Sequence, residues 1–176
     1  MHIEPTSLHD VKLITPRIFE DGRGYFFESY HQQKFDPSIQ FVQDNVSFST
    51  QGTLRGLHFQ KEPMAQGKYV RAVAGHIYDV AVDIRPDSPT YKQWVGVHLT
   101  DKNKCILWIP KGFAHGFYVM STTALIQYKC TEVYSSDHEG GLCWNDPDID
   151  IQWPLIEGCP VLLSDKDKSW APCLNI

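Results

Sequence analysis

No run in this chain approaches the roughly 18 consecutive apolar residues that a membrane span needs. It also lacks a CxxC pair, an internal repeat and a low-complexity linker. Helical periodicity is scarce, because apolar residues seldom recur at three-to-four spacing, and no glycine-rich dinucleotide fingerprint is present. Basic residues are outnumbered, 16 Lys and Arg against 21 Asp and Glu, for a formal net charge of -5. That balance argues against a nucleic-acid partner, which usually meets a basic face. It leaves room for a small anion held by a few local cations. The five cysteines (Cys105, Cys130, Cys143, Cys159 and Cys173) form an odd, dispersed set. Such a set suits reduced, mostly buried thiols better than a disulfide frame or a zinc site. Met1–Val11 is polar and lacks the charged-then-apolar profile of a signal peptide. A cytoplasmic protein without a membrane segment is the expectation.

What is present is two-residue alternation. With 42% apolar and 21% charged residues over 176 positions, the composition is that of one globular domain, residues 1–176, large enough to bury a core. Gly24–Tyr30, Phe41–Thr50, Thr53–Phe59, Tyr69–Ala74, His76–Arg85, Gln93–Thr100, Cys105–Ile109, Gly116–Ser121 and Ala124–Tyr134 read as strands. They are rich in Val, Ile, Phe, Tyr and Trp and bounded by Gly, Pro, Asp or Ser clusters. Short strands at this spacing predict an all-β antiparallel sandwich or barrel of jelly-roll or cupin form. Beyond Trp153 the strand signal weakens. Pro154, Pro160 and Pro172 interrupt the tail, and Ser164–Lys168 is a charged stretch. Composition alone favours a solvated loop there; the alternative is a tail that folds back and delivers a carboxylate to the barrel.

Residues able to carry chemistry fall in a few places. In Gly52–Gln60, His58 lies on a strand with Arg55 three residues before it and a glycine on either side of that arginine. Ideal alternation puts Arg55 and His58 on opposite faces, and a bulge at Gly56 would bring them together. Lys68 opens the next strand; it is either a surface lysine or, facing inward, a fixed cation suited to an oxyanion. Ile109–Phe117 resembles the second cupin motif, with His115 where many cupins place a metal ligand. The first motif is incomplete, since His58-Phe59-Gln60 replaces H-x-H, so no metal is expected. Tyr128 and Tyr134, an even number of residues apart on Ala124–Tyr134, share a face as core filling, proton donor or stacking surface.

Together, Asp21–Tyr30, Val42–Asn45, Leu54–Gln60, Asp79–Arg85, Ile109–Phe117 and Leu163–Asp167 resemble the dTDP-4-dehydrorhamnose 3,5-epimerases, the RmlC-like cupin family. The stretches run in family order over nearly the whole chain. The resemblance implies a cupin β-barrel with short helical or loop segments at its C-terminal end, a homodimer in which an N-terminal strand joins the partner's sheet, and a dTDP-4-keto-6-deoxy sugar as substrate. By it, His58 is the general base, Tyr128 the general acid, Lys68 the residue beside the sugar C4 oxygen and Asp167 the carboxylate paired with His58. Tyr134 falls at the aromatic that stacks on thymine. Arg23, Glu28, Gln43, Asn45, Arg55, His115, Glu139 and Lys166 fall at substrate-binding positions. Ile156–Leu163 is about two residues longer than the family pattern, which leaves Asp165 as the competing choice for Asp167.

The implied chemistry agrees with these residue types. A hydrogen alpha to a ketone is acidic because its loss gives an enolate. Inversion then needs a base on one face, an acid on the other and a cation at the oxygen. No cofactor is called for, because the oxidation level does not change. Three rivals stand beside this reading: a single-centre epimerase of a related 4-keto nucleotide sugar, a metal-dependent cupin isomerase or oxygenase, and a non-catalytic sugar-nucleotide binder.

Overall fold

The computed structural model describes residues 1–173. Among the described residues, thirteen strands, two short α-helices and a 3-10 turn at Ser136–His138 follow one another. A first group comprises β1 (His2–Pro5), β2 (Lys12–Thr15), β3 (Ile18–Asp21), β4 (Gly24–Phe27) and the single-turn helix α1 (Gln32–Phe35). The barrel strands are β5 (Gln43–Thr50), β6 (Leu54–Gln60), β7 (Lys68–Ala74), β8 (His76–Asp83), β9 (Trp94–Thr100), β10 (Ile106–Ile109), β11 (Phe113–Val119) and β12 (Thr123–Cys130). β13 (Glu139–Gly141) and α2 (Asp165–Ser169) complete the set.

Two antiparallel sheets face each other, ordered β1-β2-β10-β7-β12-β5 and β13-β6-β11-β8-β9, while β3 and β4 form a separate hairpin. This is the cupin-type jelly roll expected from the strand spacing. Period-two alternation explains the layering. On β12, Ala124 and Ile126 are buried inward, and on β7 Val70 and Ala72 meet them. From the opposite sheet Ile77, Ala81, Phe113, Phe117 and Val119 fill the same interior. The outward residues of β6, β8 and β11, namely Leu57, Phe59, Val80, Val82 and Ala114, are covered by Leu142, Ile149 and Ile151 of the C-terminal segment. That second core is why the segment after β13 stays folded with little regular structure.

Several expected elements differ. β1, β2 and β3 carry no clear pattern in the sequence, since strands of four residues broken by Pro5 and Pro16 are too short to show a period. The strand expected over Ala124–Tyr134 ends at Cys130, because the Thr131 hydroxyl accepts the Gly67 N–H at 2.8 Å and closes the end of the β7–β12 ladder. Tyr134 is therefore off the strand, and its shared face with Tyr128 is lost. All five cysteines are unpaired, but only Cys130 and Cys173 are buried. No helix among the described residues is long and apolar enough to cross a membrane.

Candidate active site

At one end of the barrel the interior turns from apolar to polar. A cavity of about 270 Å³ opens there, lined by Gln43, Asn45, His58, Gln60, Gln66, Lys68, Tyr128, Tyr134 and Glu139. His58 comes from β6 in one sheet. Lys68 and Tyr128 come from β7 and β12, neighbouring strands of the other, where Val70 pairs with Tyr128 and Lys68 with Cys130. The imidazole and the phenol thus enter from opposing walls, with the ammonium on the phenol's side.

The β6 register makes this possible. His58 pairs with His115 and Arg55 with Phe117, so one extra residue of β6 is accommodated between the two pairs. This is the bulge that Gly56 suggested. Gly56 has φ of +123°, and a Cβ there would lie 2.6 Å from Gly116 Cα, so only glycine allows this approach of backbones. The bulge places Arg55 and His58 on one face. Arg55 remains exposed, donating from Nε to Ser49 Oγ at 3.0 Å, and does not line the cavity.

The charged tail does fold back. Leu162 bridges to Thr53 beside β6, and Ser164 then caps α2 by accepting the Asp167 N–H, a role that suits serine. One turn later Asp167 is 4% exposed, with Oδ1 2.5 Å from His58 Nε2. Ser164 Oγ donates to its other oxygen at 2.8 Å. Burial opposes ionisation of Asp167, but the hydrogen bonds from His58 and Ser164 outweigh it and hold its pKa below the ordinary value. Asp165 is fully exposed and pairs only with Lys168, so Asp167 is the carboxylate at His58. Asp167→Asn is accordingly expected to lower kcat by about 10-fold or more, since it weakens orientation of the base without removing it, and Asp165→Asn to leave kcat unchanged. Steady-state rates of the two variants check the ranking, and the reverse order would overturn the pairing.

On the opposite wall, burial raises the Tyr128 pKa, with Cys130 adding to the effect, so the phenol keeps its proton over the neutral range. Lys68 is part-buried and lines the cavity, and desolvation lowers its pKa against the pull of Cys130, Asp79 and Glu139. His115 does not line the cavity. It is buried behind it with Nε2 2.8 Å from Asp79 Oδ1, and desolvation lowers its pKa.

The mouth of the cavity is built by the loop after β12. Gln60 holds that loop by donating to Val133 O at 3.1 Å and accepting from Ser135 N at 2.8 Å. Gln43 accepts the Tyr134 N–H at 2.9 Å and donates to Asn45 at 3.0 Å. The exposed Tyr134 ring is steadied by its hydroxyl, which donates to Glu139 Oε2 at 2.6 Å, while Lys166 pairs with the same carboxylate. Glu139 stays ionised despite burial because Lys166 and Tyr134 both bond to it.

Arg23 and Glu28 are not brought to this cavity within the chain. Arg23 sits at the tip of the β3–β4 hairpin, paired with Asp21 and largely exposed, and Glu28 pairs with Lys34. Gln60 and Gln66 at the cavity, Ser164 on Asp167 and Asp79 behind His115 are further residues of the site that the sequence does not mark as such. Only Gln60, two residues beyond His58 on the same face, carried a periodic signal. His58 and His115 each engage a carboxylate, and no group of three or more His, Cys, Asp or Glu side chains gathers for a metal among the described residues.

A family model described as dTDP-4-dehydrorhamnose 3,5-epimerase matches residues 5–174. The chain belongs to this family. An epimerase of that name from Salmonella typhimurium is 52% identical over 179 residues, covering 99% of this chain and 96% of that protein. A crystal structure of dTDP-6-deoxy-D-glucose-3,5-epimerase from Legionella pneumophila in complex with dTDP-4-keto-L-rhamnose is similar at a TM-score of 0.95. It is 46% identical and covers 99% of this chain and 94% of its own. A 3'-monoepimerase from Streptomyces bikiniensis in complex with dTDP-quinovose shares the fold at a TM-score of 0.91 and 30% identity, with 97% and 87% covered. The scaffold is thus shared with a protein described as a single-centre epimerase.

Proposed function

We propose that the chain inverts C3 and C5 of dTDP-4-dehydro-6-deoxy-D-glucose to give dTDP-4-dehydro-L-rhamnose. The observation that carries this reading is the entry of His58 and Tyr128 from opposing walls, with Lys68 beside Tyr128. His58 Nε2 is engaged by Asp167, which leaves Nδ1 to remove the proton at C3. Asp167 stabilises the imidazolium that forms. The electron pair of the broken C–H bond moves into the C4 carbonyl, and the Lys68 ammonium stabilises the enolate oxygen. Tyr128 then protonates C3 from the other face. His58 releases its proton, Tyr128 regains one from solvent, and the cycle repeats at C5. The substrate keeps its oxidation level, so no redox cofactor takes part, and Lys68 fills the place a Lewis-acidic metal would take.

Gln43, Asn45, Glu139 and Lys166 are assigned to substrate binding and the Tyr134 ring to stacking on thymine, whereas His115, bonded to Asp79, is assigned to backing the cavity wall. Arg23 and Arg55 are assigned to the nucleotide diphosphate, and Glu28 to substrate binding away from it. Since Arg23 and Glu28 lie away from their own chain's cavity, we assign them to the cavity of a second copy in a homodimer. Support comes from the exposed Phe19, Tyr25 and Phe26 around Arg23, Phe26 being 69% exposed. β1 ends its sheet with one edge unpaired among the described residues, which suits strand exchange between two-fold mates. Residues 1–176 act as one domain in this reading, and the unpaired cysteines fit a reducing cytoplasm.

Turnover in deuterium oxide tests the reaction. The product, identified by NMR, is expected to carry deuterium at both C3 and C5. Label at one carbon would replace this reading with a single-centre epimerase, and no exchange at either would remove the enolate mechanism.

A further inference from the structure

β13 is the neighbour of β6 at the end of its sheet. In their antiparallel register Gly141 lies directly opposite His58, and residues so paired present their side chains on the same face, close enough to pack on each other. Glycine has no side chain to offer, so one flank of the His58 ring lacks its cross-strand neighbour. The place is taken from elsewhere. A Cβ built on Gly141 would lie 2.2 Å from Cε2 and 2.3 Å from Cδ2 of Trp170. That indole, which directly follows α2, meets the His58 imidazole in a T-shaped arrangement, with ring centroids 6.3 Å apart and planes at 67°. Aromatic pairs favour this geometry. The indole Nε1 is buried without a hydrogen-bond partner among the described residues, so packing holds the ring there at the cost of an unpaired donor.

α2 cannot hold its position alone. It spans five residues, far below the roughly 12–15 at which an isolated helix becomes even marginal in water. Its contacts fix it instead. Lys166 pairs with Glu139 on β13, Asp167 Oδ1 lies 2.5 Å from His58 Nε2, and Trp170 covers Gly141. Lys166 Nζ also stands 5.8 Å from the centre of the Trp170 ring, at the four-residue spacing that puts two side chains on one helix face. One short element thus holds His58 twice, at Nε2 by a carboxylate and at the ring by an indole. We propose that Trp170 is a positioning residue of the reaction: it stands in for the side chain that Gly141 lacks and sets the His58 ring so that Nε2 stays on Asp167 and Nδ1 faces the substrate. The inference rests on the assignment of His58 as the base. Trp170 does not line the cavity, so it acts through His58 and not on the substrate.

The test displaces the ring from either side. Trp170→Ala is expected to lower kcat by about 10-fold or more, because a misplaced reacting group loses rate steeply, while KM and dTDP affinity stay unchanged. Trp170→Phe refills the place with a flat ring that has no N–H to leave unpaired, and should keep most of the rate. Gly141→Ala puts a methyl where the indole sits. It should lower kcat in the otherwise wild-type chain and cost nothing further beside Trp170→Ala, where the ring it would meet is gone. In protein carrying ¹⁵N-labelled histidine, the His58 signals, assigned by their loss in His58→Ala, report which ring nitrogen holds the proton. Nε2 should hold it in the wild type and in Trp170→Phe, whereas Trp170→Ala should show a mixture of tautomers. Wild-type kcat in both Trp170→Ala and Gly141→Ala would overturn the proposal. So would a Gly141→Ala loss that persists without the indole, or a lost rate with the His58 signals unmoved. If Trp170→Ala does not fold, Gly141→Ala decides by the same two readouts. The NMR signals need no turnover, so a wild-type chain inactive on the 4-keto sugar nucleotide would reject the reaction while the hold of Trp170 on His58 is still read.

Discussion

His58→Ala and His58→Asn are expected to remove proton abstraction while leaving dTDP affinity at its wild-type value. His58 is the cavity residue that combines a basic nitrogen with a carboxylate partner, Asp167 Oδ1 at 2.5 Å. The nucleotide is assigned to the cavity mouth and to the arginines. Asparagine can still hydrogen-bond Asp167 but cannot take up a proton, so it separates the base from the architecture around it. General base catalysis contributes about 10²–10⁴-fold in rate, and two successive inversions depend on it here, so turnover should fall by at least that factor. Calorimetric titration with dTDP and exchange of C3 and C5 hydrogens in deuterium oxide check the two halves. Near-normal turnover in either variant would mean that another group is the base, and lost dTDP binding would mean that His58 also supports the nucleotide site.

Tyr128→Phe is expected to uncouple enolate formation from inversion. The substitution removes one hydroxyl from a ring packed against the apolar interior, so the fold should be untouched. His58 still forms the enolate, yet no acid remains on the opposite wall to finish the inversion. In deuterium oxide the recovered substrate should carry label returned on the base's own face, with inverted product reduced by about 10²–10⁴-fold. Product formation at the wild-type rate would assign the acid elsewhere. Absence of both exchange and product would show that Tyr128 is needed for the enolate itself.

Most of the barrel was legible because its strands bury one face, and a buried face writes itself into the sequence as alternation. Ala124, Ile126 and Tyr128 on β12 and Val70 and Ala72 on β7 are such cases. The conflict between Arg55 and His58 was legible too, and Gly56 resolves it in the register. β1 to β3 were not, being short and proline-bounded. The end of β12 was also hidden, since a hydrogen bond between Gly67 and Thr131 sets it, and a contact so distant in sequence leaves no local period. In the site, His58, Lys68 and Tyr128 sit within recognisable strand motifs. Asp167 could be placed only by choosing between aspartates in a charged stretch, and the capping geometry of Ser164 decides it. The task of Asp79, which holds His115 from the neighbouring strand, has no local signature and shows only once β8 and β11 are paired.

The dyad closes a loop of 109 residues between β6 and α2. Its carboxylate rides on a segment held by one bridge to Thr53, by the backbone bond from Cys143 to Ala171 at 3.0 Å and by the contact between Cys173 and Asp146. The two sheets can therefore be complete in a molecule whose base is not yet oriented. Segments with so few attachments open locally at a lower free energy than the core. Full activity thus reports the docking of the tail, and heating would silence the enzyme at or before the temperature at which the barrel itself gives way.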